Sequence, residues 1–145
     1  AVPRDAGMII VDTNVISELM RSQPQERVVT WMDQQPPTEL GITAVTVAEI
    51  LLGIGALPDG KRKQGLFAAA IQMFDEILGN RIFDFDRQAA VEYADIVVSR
   101  GRKGIPISMA DAQIAAICRV HGADLATRNG QDFSDIGIKI IDPWQ

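Results

Sequence analysis

Short apolar runs alternate along this chain with longer segments of helical period. The first run, Met8-Ile9-Ile10-Val11, is continuous rather than alternating, the pattern of a strand buried on both faces. Val15-Ile16 and Leu19-Met20 then recur at helical spacing up to Pro24. Val28, Val29, Trp31 and Met32 predict an amphipathic helix over residues 26–35, stopped by Pro36-Pro37. Leu40-Gly41-Ile42 predicts a short strand, 46–55 a helix, and 57–60 a turn. A long helix is expected over 61–78, with Leu66, Phe67, Ile71, Phe74 and Leu78 on one stripe. A strand follows over 81–85. Asp86 then caps a helix that runs to Gly101 with Val91, Ala94, Val97 and Val98 on it. Ser108 opens another helix, closing at His121-Gly122, and Leu125-Ala126 and 139–141 supply two last strands. Strands alternating with helices predict an α/β fold: a small, mostly parallel central sheet with helices on both faces, in which helical residues outnumber strand residues.

The length of 145 residues fits a single domain, expected over 8–145, with enough chain to bury a core without disulfides. Residues 1–7 precede Met8 and contain Val2-Pro3-Arg4, which reads as a protease-site scar, so they are set aside as an expression remnant. The lone Cys118 excludes an internal disulfide and fits a reducing, cytoplasmic setting. No apolar run approaches the roughly 18 residues that a membrane span needs. A net charge of −5 disfavours gripping nucleic acid by bulk electrostatics. It leaves room for a protein that gathers acids around a divalent cation and reaches phosphate through it. Two basic clusters, Lys61-Arg62-Lys63 and Arg100-Gly101-Arg102-Lys103, read as solvated surface or as phosphate contacts.

The candidate chemistry begins where the first strand ends, at Asp12-Thr13-Asn14. Ligands bind at the carboxyl ends of strands in open α/β sheets, so an acid there is a candidate ligand or catalytic group. The plainer reading is a turn or helix cap. Thr46-Val47-Ala48-Glu49 and Ser108-Met109-Ala110-Asp111 each place an acid three positions after a hydroxyl at a helix start, the signature of a capping box. In a βαβ layout, helix starts and strand ends share one rim, so Asp12, Glu49 and Asp111 are expected on the same edge. The strand Leu125-Ala126 empties into Thr127-Arg128-Asn129-Gly130-Gln131-Asp132 at that rim. There Asn129 or Asp132 extends an oxygen-ligand set, and Thr127 can hold a water or a carboxylate; the alternative is a turn built on Asn129-Gly130.

Carboxylates crowded at one rim raise one another's pKa unless a cation neutralises them. Hard oxygen donors suit Mg²⁺, with Mn²⁺ as the alternative. Such an ion can lower the pKa of a bound water and neutralise a leaving oxygen, with no histidine required. His121 is the only histidine, so a two-histidine ribonuclease is excluded, and the Cys/His sets of zinc hydrolases are absent. The stretch from Gly55 to Arg62 mimics a phosphate-binding loop, but it has Pro58 inside it, Arg62 where Ser or Thr should stand, and a helix before it. A haloacid-dehalogenase-like phosphatase would want a second aspartate where Asn14 stands.

The stretch from Met8 to Glu18, Thr43-Ala-Val-Thr-Val-Ala-Glu49, Ser108-Met-Ala-Asp111 and Ala126-Thr-Arg-Asn129 together resemble the PIN-domain ribonucleases. Within them the likeness is to VapC toxins of bacterial type II toxin–antitoxin systems, in the FitB-like branch. The closing Ile141-Asp-Pro-Trp144 is similar to that branch as well. The resemblance implies a PIN-like α/β/α sandwich with Asp12, Glu49 and Asp111 as metal-binding catalytic acids, and with Thr13 or Asn14 orienting Asp12 and a water. The family's fourth acid falls at Asn129 here, so either Asp132 substitutes or three acids suffice. The resemblance further implies a homodimer, an RNA substrate such as transfer RNA, and a cognate antitoxin that inserts part of its chain near the acids. Operator DNA would be reached only through that antitoxin. The extra apolar residues of 61–78 (Ala68, Ala69, Ala70, Met73 and Ile77) fit such an interface, or full burial within one chain. A second reading stays open: a PIN-like module that binds a partner or DNA, with weak or no nuclease activity.

Overall fold

The structure is a computed structural model that describes residues 7–77, 79 and 81–145, apart from the side chain of Ile77. Most of the segment set aside as a remnant, Leu78 of the expected long-helix stripe and the side chain of Ile77 lie outside what is described. Five strands, β1 (Ile9–Val11), β2 (Leu40–Thr43), β3 (Ile82–Phe83), β4 (Asp124–Ala126) and β5 (Ile140–Ile141), form one sheet in the order β3-β2-β1-β4-β5. Every pairing is parallel. Among the described residues, six α-helices flank it: α1 (Thr13–Leu19), α2 (Glu26–Gln34), α3 (Ala44–Gly55), α4 (Lys61–Gln72), α5 (Arg87–Arg102) and α6 (Met109–His121). With strands of only two to four residues, helices dominate as the sequence predicts.

The continuous apolar run of β1 is explained by its two-residue side-chain period. Ile9 and Val11 enter a core built with Val15 and Ile16 of α1, Val28 and Met32 of α2, and Ile50 and Ile54 of α3. Ile10 points the other way, into a core with Leu125, Ile96 of α5 and the Ile114-to-Cys118 stretch of α6. Both faces are therefore dry, and a polar residue inside β1 would be expelled from either. The chain direction matters as much. From β1 the chain steps outward through β2 to β3, then crosses back to β4 on the other side of β1. The connections leaving β1 and β4 diverge, which opens a crevice at the carboxyl ends of those two strands.

Four local expectations change. Helix α3 begins at Ala44 with Thr43 as its N-cap, whose Oγ1 accepts from the Thr46 amide at 3.0 Å, so Thr46 and Glu49 do not form a capping box. The long helix gives way after Gln72 to a wider π turn over Met73–Ile77, which buries Met73 and Phe74. Its apolar surface is only partly internal: Ala70 is buried, but Phe67 is 51% exposed and Ile71 38%. Arg100, read as surface, is buried. Its Nε donates to Ile105 O, and its Nη1 donates to the carbonyls of Asp132 and Ser134 at 3.0 Å.

Ile10 is fully buried between sheet and helices. Ile10→Ala should therefore lower unfolding stability by about 3 kcal/mol in urea titrations. A loss below about 1 kcal/mol would mean that the second face is looser than this packing implies.

Candidate active site

The site starts from an acid that the backbone leaves no freedom to place elsewhere. Asp12 follows β1, its amide pairs with Ala126 O at 2.9 Å, and it caps α1 by accepting from the Thr13 amide on Oδ1 at 2.8 Å. The turn reading of Asp12 is therefore correct as far as it goes. Its second oxygen faces the crevice: Oδ2 accepts from Thr127 Oγ1 at 2.8 Å and from Asn14 Nδ2 at 3.4 Å. Asn14 also donates to Thr127 Oγ1 and accepts from the Arg128 amide on Oδ1. Thr127 Oγ1 accepts the Asn129 amide in turn. The ends of β1 and β4 are thus laced together around one carboxylate. Asp12 is only 5% exposed, and burial lifts its carboxyl from 3.8 to about 6 against the stabilising bonds from Thr127 and Thr13, with Asp111 and Glu49 adding repulsion.

Glu49 reaches the rim from α3, two turns in, and is exposed there. Thr13 Oγ1 donates to its Oε1 at 2.7 Å, and that hydroxyl lies 3.1 Å from Thr46 Oγ1. Thr46 in turn sits against Thr43, so hydroxyls on three positions form a chain ending at Glu49. The Thr43 and Thr46 part of this chain was missed in the sequence, although hydroxyls at i and i+3 across a strand exit are a readable signal.

Asp111 stands in the first turn of α6, where its amide donates to Ser108 Oγ at 3.2 Å. Half of a capping box is present. No bond from the Ser108 amide back to the Asp111 carboxylate occurs among the described residues, which leaves that carboxylate to the crevice. Its pKa is raised, first by burial, and further by Asp132 and Glu49, while the Ser108 hydroxyl and Arg100 oppose the shift. Asp132 lies in the 3₁₀ turn Gly130–Phe133 after β4. Asn129 is exposed, and its bonds run through its backbone, the amide donating to Thr127 Oγ1 and the carbonyl accepting from the Asp132 amide, so at this loop it is Asp132 whose charge is felt at Asp111. The buried Arg100 holds the backbone carbonyl of Asp132 and so fixes the loop.

The four acids therefore come from four separate elements; Asp12 senses the charges of Asp111 and Glu49, and Asp111 those of Asp132 and Glu49. Among the described residues, no three His, Cys, Asp or Glu side chains stand close enough together to hold one metal ion. Asp12 is fixed, whereas Glu49 is exposed and Asp111 half-exposed, so movement toward a cation would fall to the latter two. The donor set itself, carboxylates with hydroxyl and amide oxygens and no sulfur, fits a hard divalent cation. Beside Glu49 opens a cleft of about 690 Å³ bordered by Thr13, Arg21, Lys61 and Arg62, which brings one of the two basic clusters to the site. His121 lies at the far end of α6 from Asp111, its ring 4.3 Å from Phe83.

The family model for the PIN domain matches residues 9–139. The chain belongs to the PIN-domain family. It is 39% identical over 141 residues to VapC ribonuclease Y4jK of Sinorhizobium fredii, covering 95% of this chain and 99% of that protein. It is 39% identical over 137 residues to Toxin FitB of Neisseria gonorrhoeae, covering 94% and 99%. The crystal structure of FitAcB from Neisseria gonorrhoeae superposes with a TM-score of 0.89 at 38% identity, covering 95% of this chain and 99% of that one. The PIN architecture expected from the sequence is thus shown for this chain. No helix among the described residues is long and apolar enough to cross a membrane.

The shift at Asp12 sets a direction for stability. The folded state holds this proton more tightly than the unfolded chain, so the favourable contribution is complete below about 3.8 and disappears as pH rises through about 6. The difference corresponds to about 3 kcal/mol. In chelator, wild-type Tm should therefore gain on Asp12→Asn as pH is lowered from 7.5 to 5, with the variant equal or more stable at 7.5. Parallel Tm curves for the two proteins would contradict this electrostatic account.

Proposed function

We propose that this chain is a divalent-metal-dependent endoribonuclease, the toxin of a type II toxin–antitoxin pair. What supports this reading most is that Asp12 feels the charges of Asp111 and Glu49, and Asp111 those of Asp132 and Glu49, with Asp12 held near 6 and the lone histidine elsewhere. Its likeness to a VapC ribonuclease and to Toxin FitB over nearly the whole chain supports it. Asp12, Glu49 and Asp111 would hold Mg²⁺ or Mn²⁺, with Asp132 rather than Asn129 as the fourth acid. A bound ion would lower the pKa of a water and neutralise charge on the phosphodiester.

The protein's own part is placement. Thr127 and Asn14 keep Asp12 Oδ2 turned into the crevice, and Thr13 fixes the direction of Glu49. Arg100 anchors the loop that carries Asp132. Burial makes an ionised Asp12 unfavourable without a cation, so a cation is bound partly by relieving that cost. The expected products carry 5′-phosphate and 3′-hydroxyl ends. The exposed Leu52, Phe67 and Ile71 fit a homodimer interface, and a cognate antitoxin would cover the acids.

Cleavage of RNA should stop in excess EDTA, return with Mg²⁺, and fall at least about a hundredfold in Asp111→Asn. Full-rate cleavage in EDTA would contradict the metal mechanism. One observation favours a second reading, a binding module with weak or no cleavage: no metal-holding group of three acids is closed among the described residues. Calorimetric titration separates the two, because the nuclease must take up Mg²⁺ and lose that uptake in Asp12→Asn, whereas the module need not.

A further inference from the structure

Two parts of the sequence that the acids do not use meet beside them: Arg128, which follows Thr127, and Trp144 at the end of the chain. The Arg128 guanidinium stands over the Trp144 ring, 5.0 Å from its centroid. The Arg128 amide donates to Asn14 Oδ1, and Asn14 donates to Asp12, so its backbone is two hydrogen bonds from the buried acid. The side chain is exposed and, among the described residues, pairs with no carboxylate despite the chain's negative charge.

Trp144 is itself held. Its amide donates to Asp142 Oδ1 at 2.9 Å, its carbonyl accepts from Arg27 Nη1, and its indole packs on the core around β1, α1 and α2. The strand before it is tied to the same place, since the Thr127 amide donates to Ile141 O. The closing Ile141-Asp142-Pro143-Trp144 segment thus forms a platform for one arginine at the edge of the acidic crevice.

We propose that Arg128 binds a backbone phosphate of RNA next to the bond that is cut, and that Trp144 is its positioning residue. This rests on the ribonuclease reading above. A guanidinium held over a ring by a cation–π contact can still present its planar N–H fork, which matches two phosphate oxygens at once. An acidic crevice needs such a cation, because phosphate approaching carboxylates is otherwise repelled. The ring fixes the guanidinium before RNA arrives, so less side-chain freedom is lost on binding. Arg27 of α2 contacts the same segment, donating from Nη1 to the Trp144 carbonyl.

The test measures binding of a short labelled RNA of mixed sequence by fluorescence anisotropy, across a KCl series at fixed Mg²⁺. Asp111→Asn protein is the parent, so that binding is read without cutting. Arg128→Ala should weaken binding about tenfold and flatten the plot of log affinity against log salt by about 0.7, the loss of one single-strand phosphate contact. Arg128→Lys should fall between, keeping charge without the planar fork. Trp144→Leu should reproduce most of the loss and add nothing in the Arg128→Ala background, and Trp144→Phe, which retains a ring face, should recover much of it. If the parent binds and Arg128→Ala matches it in affinity and slope, the clamp is overturned and the nuclease reading stands. If Trp144→Leu weakens binding equally with and without Arg128, the positioning role is overturned. A parent that binds no RNA would overturn both.

Discussion

The structure depends on one unfavourable burial. A strand with apolar side chains on both faces carries a carboxylate to its exit, and the dry surroundings that stabilise the sheet work against that carboxylate's charge. Three donors, from Thr13, Thr127 and Asn14, offset part of the cost without cancelling it. Among the described residues, the charges that act most on Asp12 are the like charges of Asp111 and Glu49. An arrangement that merely capped a helix would gain nothing from two further acids within electrostatic reach. The same arrangement gains a great deal if a cation is its normal occupant.

The parallel order of the sheet turns this local conflict into a site. Because β1 sits at the centre and the chain reverses its direction of travel between β3 and β4, the ends of β1 and β4 face a common crevice. Helix starts lie along the same rim, which is how Asp111 and Glu49 come to it from positions 99 and 37 residues away from Asp12 in the chain. Two anchored segments bracket the more exposed acids. Arg100 pins the Asp132 loop from inside the molecule, and the Trp144 platform supports Arg128 at its edge. Between them, Glu49 and Asp111 retain enough exposure to adjust.

Much of this was legible in the residues. The unbroken Ile9-Ile10-Val11 run is unusual outside a doubly covered parallel strand, and Asp12 at its end could be placed from that alone. All five strands and six helices follow from apolar period and from caps such as Asp86 and Gly122. What the sequence hid depended on distant partners. Thr46 and Glu49 carry the capping-box spacing, yet Thr43, three positions earlier at the end of β2, takes the cap, freeing Glu49 for Thr13. Arg100 looks like one cation among several in Arg100-Gly101-Arg102-Lys103, and only the fold turns it inward toward carbonyls 32 and 34 residues away. The stacking of Arg128 on Trp144 likewise joins two segments with no local signal between them.

If burial holds the Asp12 charge at a cost until a divalent cation reaches it, titration of its carboxyl carbon by ¹³C NMR with and without Mg²⁺ will show it. In chelator the resonance should titrate near 6, and saturating Mg²⁺ should move the transition well below that. A carboxyl that titrates near 3.8 in chelator, or one that Mg²⁺ leaves unmoved, would contradict the account.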